Sequence, residues 1–488
     1  MSYINTIRCL LVTLAAACIT ASGLSAAPNA LAPGAQRDPW LGRDEILARI
    51  KAPEFPKRDF VITDHGALAG GETDARPAIV AAFEACVKAG GGRVVIPSGV
   101  FLCNGPIHLR SGVNLHVSGG ATLLFGTNPK DYMPVVLTRW EGTMLYNYSP
   151  LIYAYKQTNI AITGKGTING NGKEGMYNFV KLRRPDGKGS MHERDRQALW
   201  RMGAAQTPVT ERVFGDGHYL RPGGIEPVEC EGVLIEGVTV TNMPFWCVHP
   251  VYCTNLTVRG IRIESTTGNN DGVDPDSCRD VLIEDCYFKT GDDSIAIKSG
   301  RDQDGWRVAR PCENIVIRRC IAAGKLYGFA IGSEMSGGVR NVFIEDCKVL
   351  DGKRAAIYTK SNPDRGGTVE NVYVRRIEVG HVNEAAVRFE TNYHGWRGEN
   401  HPPQFRNFVV EDVTCTKSNN YGVYFDGQPG TPVRDVVLRR ITVGEAKKPL
   451  WIHHIDNVRF EDVRINGELM PASPPLTPAD ERKLSIRD

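Results

Sequence analysis

Three aspartates carry the chemistry that this sequence offers. Asp271 follows Asn269-Asn270, and Asp292-Asp293 follows Gly291. The stretches around them, residues 269–278 and 290–300, hold equivalent places in successive copies of one repeat. Stacked copies gather the three carboxylates on one face. A carboxyl kept protonated can donate to a leaving oxygen, and an ionised one can activate water. Breaking a glycosidic bond requires that pair. A lone Asp reads as a turn residue; three in register read as a site.

The elements that must position them are strands. Copies of one strand pattern open at Gly232, Asn255, Asp280, Asn314, Asn341, Asn371, Asn407, Asp435 and Asn457. Each opens on a turn-forming residue, and alternating apolar positions follow. The period is irregular, in the twenties to mid-thirties. Copies this short cannot bury a face alone, so they stack as a solenoid. Helical signals are sparse in this half. The pattern predicts an all-β fold, a single-stranded right-handed parallel β-helix, over leucine-rich or helical repeats. A β-propeller, with longer blades of antiparallel hairpins, is the rival.

A second ladder aligns Val273-Asp274-Pro275-Asp276 with residues 295–298, 329–332, 357–360, 387–390 and 423–426. Side chains alternate along a strand, so the first and third columns point inward and the second and fourth outward. One outward row then holds Lys298, Lys360, Glu390 and Asp426. Another holds Tyr358, Arg388 and Tyr424. Both border the aspartates along one outer groove.

The repeats span most of the 488 residues, so one elongated domain over residues 56–470 is expected, with an N-terminal extension at 28–55 and a tail at 471–488. Residues 78–88 read as a helix that caps the open end of the solenoid. The Gly90-Gly91-Gly92 turn behind it lacks the Lys-Ser/Thr of a phosphate loop. Arg8 precedes an apolar run at residues 9–21, and Ser25-Ala26-Ala27 suits cleavage. Residues 1–27 therefore read as a signal peptide, and the protein as exported to a periplasm or the cell exterior. The run is too short to span a membrane. A net charge of +3 without a basic run gives no nucleic-acid partner. Of 13 cysteines, Cys9 and Cys18 precede the cleavage point. Cys286, Cys320 and Cys347 share one repeat position, which suits stacked buried thiols at least as well as disulfides. No Cys/His spacing suggests zinc; no metal and no cofactor are expected, and a monomer is.

Together these parts resemble glycoside hydrolase family 28, the polygalacturonase family of pectin-degrading enzymes. The resemblance rests on the Gly-rich capping segment, Asn269-x-Asp271, Gly291-Asp292-Asp293, the Ile331-Gly332-Ser333 segment running to Gly338, and Lys360 ahead of Arg365-Gly366-Gly367. Their order and spacing extend it over nearly the whole chain after the signal segment. It implies a pectic polysaccharide or oligosaccharide as substrate and metal-independent hydrolysis with inversion. It also implies that Asp292 is the general acid and that Asp271 and Asp293 hold and activate water, with acid and base roughly 6.5–9.5 Å apart. Lys360 matches a lysine that meets a galacturonate carboxylate, and Lys298 shares its column.

The chain departs from the family at two places. Tyr358 stands where the family has Arg, and residues 325–328 lack its His. Tyrosine cannot make the bidentate, charged contact of Arg with a carboxylate. Arg388, one coil on, is expected to supply that guanidinium; the alternative is a salt bridge to Glu384 or Glu390. Tyr358 and Tyr424 offer a sugar-stacking surface. The insertion at residues 176–227 brings His218, Tyr219 and Arg221, expected to wall one end of the groove and favour attack on chain ends. The loop at residues 392–397 is a second candidate wall. These features describe an exported, inverting glycoside hydrolase, exo-acting or specialised. The alternatives are a rhamnogalacturonan hydrolase, a lyase with Ca²⁺ on the aspartates, and a non-catalytic carbohydrate-binding solenoid.

Overall fold

The structure, a computed structural model, describes residues 38–477. The expected signal peptide and the end of the tail lie outside them. The described residues place 24 strands in one continuous sheet. Successive coils pair in parallel: Thr254–Arg259 on Arg279–Glu284, then on Cys312–Arg318 and Val339–Val349. This is the expected parallel β-helix.

The repeat openers act through the backbone. Asn255, Asp280, Asn314, Asn341, Asn371, Asn407, Asp435 and Asn457 all have φ between 51° and 60°. Asn and Asp tolerate this left-handed region better than other side chains. The same amides stack between coils. Asn341 donates to Asn314 Oδ1 at 3.0 Å, Asn371 to Asn341 at 3.1 Å and Asn407 to Asn371 at 2.7 Å. A second left-handed corner follows five residues later, at Asp285, Arg319, Asp346, Arg376, Asp412 and Arg440. Aspartates and arginines pair there across coils, as in Arg376 to Asp346.

Inward side chains form one core running from Ile62 to Ile465. All eleven described cysteines are free and buried. Cys286, Cys320 and Cys347 lie in that core, and the Cys320 amide meets the Cys347 sulfur at 3.4 Å.

Three helices pack against the coils. Helix α1, Trp40–Arg49, lies in the segment expected to be a plain approach to the fold. It packs Trp40 and Ile46 on Leu282, Val316 and Phe343 of the outer sheet face. Helix α2, Arg76–Lys88, buries Ala78, Ile79, Ala82, Phe83 and Cys86 against the first coils. Helix α3, Met191–Ala204, arises in the insertion and is N-capped by Ser190, whose side chain accepts from the Glu193 amide. A small core of Trp140, Leu145, Leu199, Phe214, Leu220, Phe245 and Trp246 fixes α3 beside the second ladder. No helix among the described residues is long and apolar enough to cross a membrane.

The second ladder pairs in the expected register: Ile295 with Phe329, Tyr358 with Arg388, Lys360 with Glu390 and Glu390 with Asp426. Its outward rows are not an open surface. Tyr358 is 1% exposed and Tyr424 8%. Loops and neighbouring aromatic rings cover them, a coverage that strand alternation cannot reveal.

Candidate active site

Local chain geometry forces the aspartates together. A Cβ on Gly291 would sit 1.9 Å from the Thr267 carbonyl oxygen, so only glycine lets the Asp292 turn nest on the coil below. Asn269 takes a left-handed φ of 56°. Asn270 next to it is fully buried and donates to the carbonyls of Met243 and Phe245. Asp271 is thereby aimed at Asp292 and Asp293. One oxygen from each of the three carboxylates lies within 4.8 Å of the others.

Two lysines make such crowding tolerable. Lys360 Nζ is 2.8 Å from Asp293 Oδ2, and Lys298 Nζ is 3.7 Å from Asp271 Oδ2. Each carboxylate keeps its other oxygen, Asp271 Oδ1 and Asp293 Oδ1, buried without a protein partner. Two such acceptors suit a water that donates to both. Asp292 differs: it is the least buried of the three, and its Oδ1 accepts from the Asp293 amide at 3.0 Å. Burial, then the charge of Asp293, pushes its carboxyl up to about 6. A protonated oxygen facing the cavity is what a general acid needs. Asp271 is also raised well above the ordinary carboxylate range, by burial and by the nearby Asp274 and Asp292. Asp274 itself, fully buried with both oxygens unpartnered, is pushed up to about 8, mainly by burial. These groups titrate together as a cluster.

The cluster opens into a cavity of about 360 Å³. Asn269, Lys298 and Lys360 line it with the three aspartates. Lys360 is caged by the rings of Tyr327, Tyr393 and Tyr358, at 4.6, 5.3 and 5.5 Å. Burial opposes its charge, but Asp293 and the surrounding groups outweigh that and hold the ammonium well above its ordinary value. Tyr358 thus backs Lys360 and donates its hydroxyl to Glu390.

The remaining sequence candidates lie off the cavity wall. Arg388 pairs with Glu384 and with Glu390, at 2.5 and 2.9 Å, between the rings of Tyr358 and Tyr424. That is the salt-bridge alternative; the guanidinium is spent on two carboxylates of its own strand. Arg221 is buried one layer back, donating to Asn269 Oδ1 at 2.7 Å and so fixing the first motif. His218 lies 3.3 Å from Asp195, tying the loop to α3 rather than facing the cavity.

Sequence reasoning found only part of the cationic end of the cavity. Arg301, Arg365 and Arg397 line it with Arg196 and Trp200 from α3. Glu334 gathers Arg301 at 2.7 Å and Lys298 at 3.4 Å, and these cations hold its carboxyl well below the ordinary range against the cost of burial. The Trp200 ring meets guanidiniums of Arg301, Arg196 and Arg397 at 4.2, 4.9 and 5.6 Å. Glu334 and Arg365 sit inside motifs read from the sequence. Nothing local marked Trp200, because only the packing of α3 brings it here. The loop at residues 392–397 does reach the site, through Tyr393, His394, Gly395 and Arg397.

A cluster of carboxylates in a cavity on a rigid parallel β-helix, with cations around it, is the kind of site that glycosidic-bond hydrolysis requires. The signature of glycosyl hydrolases family 28 matches residues 86–463. A probable polygalacturonase of Vitis vinifera is 30% identical over 417 residues, covering 80% of this chain and 76% of that protein. An exopolygalacturonase from Thermotoga maritima has a similar structure, with 40% identity and a TM-score of 0.84, over 88% of this chain and 96% of that one. The polygalacturonase from Erwinia carotovora superposes with a TM-score of 0.63 at 25% identity, over 84% and 98%. The chain belongs to glycosyl hydrolases family 28.

Proposed function

We propose that this chain hydrolyses galacturonate-containing pectic chains from their ends. Asp292 protonates the leaving oxygen, and Asp271 and Asp293 hold and activate the attacking water. The observation that carries this reading is the pair of unpartnered oxygens, Asp271 Oδ1 and Asp293 Oδ1, beside a raised Asp292. End-wise action is supported by the cavity's small volume, about 360 Å³, at the low end for ligand sites, with α3 as one wall. The similarity to an exopolygalacturonase at 40% identity points the same way. The test is digestion of polygalacturonic acid. Expected are new reducing ends without absorbance from unsaturated sugar, mono- or disaccharide products from the outset, and slow loss of viscosity. Early mid-length oligomers would overturn end-wise action, and unsaturated products would make the chain a lyase.

The family resemblance implies inversion, by single displacement. Proton NMR of the first product decides: the β-anomer appearing first from an α-linked chain means inversion.

Trp200 is where the insertion meets the cavity. The Trp200→Ala variant is expected to raise KM for short oligogalacturonates roughly fivefold to thirtyfold, equivalent to about 1–2 kcal/mol of lost contact and arginine ordering. Its kcat on saturating substrate should stay within about threefold of the parent, because the Trp200 ring meets the arginines and not the lysines that pair with the aspartates. An unchanged KM would remove α3 from substrate binding.

A further inference from the structure

Beneath the catalytic turn, inside the solenoid, lies an amine that takes no part in the proposed hydrolysis. Lys353 opens the strand Lys353–Lys360 and is fully buried. Its Nζ donates to Thr290 Oγ1 at 3.3 Å and to the Asp292 carbonyl oxygen at 3.4 Å. Thr290 Oγ1 itself donates to that carbonyl at 2.7 Å. Both acceptors of the ammonium are neutral oxygens. A buried charge with neutral partners is costly. The charged groups that face it are Asp293, Asp292 and Asp271, on the other side of the turn.

We propose that Lys353 is a positioning residue for the three aspartates. From the lumen it holds the Asp292 carbonyl, which sets where the acid points. Its ammonium also sets a positive charge against the cluster from below, while Lys298 and Lys360 do so from the sides. Lys360 and Lys298 line the cavity and Lys353 does not. Its effect should therefore appear in the rate and in proton affinities, and not in substrate binding.

This inference rests on the reading of Asp292 as the acid, so its test has one arm that needs no activity. Burial holds the Lys353 amine down at about 8, below its ordinary 10.5. Between those values the folded chain binds fewer protons than the unfolded one, so this group adds stability as pH rises through the window. The melting temperature of the parent relative to Lys353→Met should therefore rise from pH 8 to pH 10. At pH 7 the variant should melt no lower than the parent, because a methionine of similar shape needs no hydration. In the activity arm, Lys353→Met should lose roughly tenfold to hundredfold in kcat with KM unchanged. Its pH–rate profile should move alkaline by about half a unit or more, since removing a cation raises nearby carboxyls. A merely structural lysine would lower stability and leave the profile of the surviving enzyme in place. A constant melting difference across pH 8–10, or a parental rate and profile, would overturn the proposal. A parent that hydrolyses no pectic chain would instead count against the reading of Asp292, with the melting arm still deciding whether the buried ammonium exists.

Discussion

The Asp292→Asn variant loses hydrolysis of polygalacturonic acid by roughly a hundredfold to ten-thousandfold, the usual worth of a general acid. The amide can hold the backbone amide of Asp293 as the carboxylate does, but it has no proton to give. Binding should persist, because Lys360, Lys298 and the arginines are untouched. At pH 7 the variant should melt at or above the parental temperature. Asp292 has a folded value raised to about 6, so its ionised form is disfavoured in the fold above that pH, and asparagine removes the cost. The same shift sets the alkaline limb of the parent. Activity should fall as pH rises through about 6 and Asp292 loses its proton. Kinetics from pH 4 to 8, with calorimetry on both proteins, check all three statements. A variant with parental kcat would move the acid elsewhere, with Asp271 the first alternative.

Lys360→Met should damage both stability and rate. Lys360 and Asp293 form a buried pair, their side chains 7% and 1% exposed. Removing the cation leaves a carboxylate with no partner for either oxygen in a buried site, at a cost of about 3–5 kcal/mol. Asp293 should respond by taking up a proton, which removes it from the pair that activates water. A drop in kcat of roughly a hundredfold is expected, together with a lowered melting temperature. The double variant Lys360→Met/Asp293→Asn separates the two effects. It should regain most of the stability, because no charge is stranded, and none of the rate. If the single variant melts like the parent, Asp293 finds its compensation elsewhere.

Much of this arrangement was legible because the fold is periodic at two levels. Side-chain alternation gave the ladder from Val273 to Asp426, and its pairing matches residue by residue. Asn and Asp openers marked the corners because few other side chains tolerate positive φ. The three aspartates followed from that register. What could not be read is what arrives from outside the repeat. Helix α1 follows Pro39, which has no side-chain cap to offer, so its start carries no polar signal. Trp200 and Arg196 reach the cavity only through the packing of Leu199 with Trp140 and Phe214. Register also placed Tyr358 and Arg388 on the outer face correctly, yet the depth of that face depends on long-range loops. There Arg388 is held by Glu384 and Glu390.

The paired left-handed corners carry one more consequence. Between the corner at Asn314 and that at Arg319 the chain is always five residues long, and so it is from Asn341 to Asp346 and from Asn371 to Arg376. Length varies only on the far side of each turn, where the insertions leave. The pitch of the stack is therefore indifferent to what grows on it. Loops can lengthen, shrink or change sign of charge while the catalytic turns stay at a constant height above the previous rung. Such a chain can be retuned for a different sugar polymer without a new solution to its own folding.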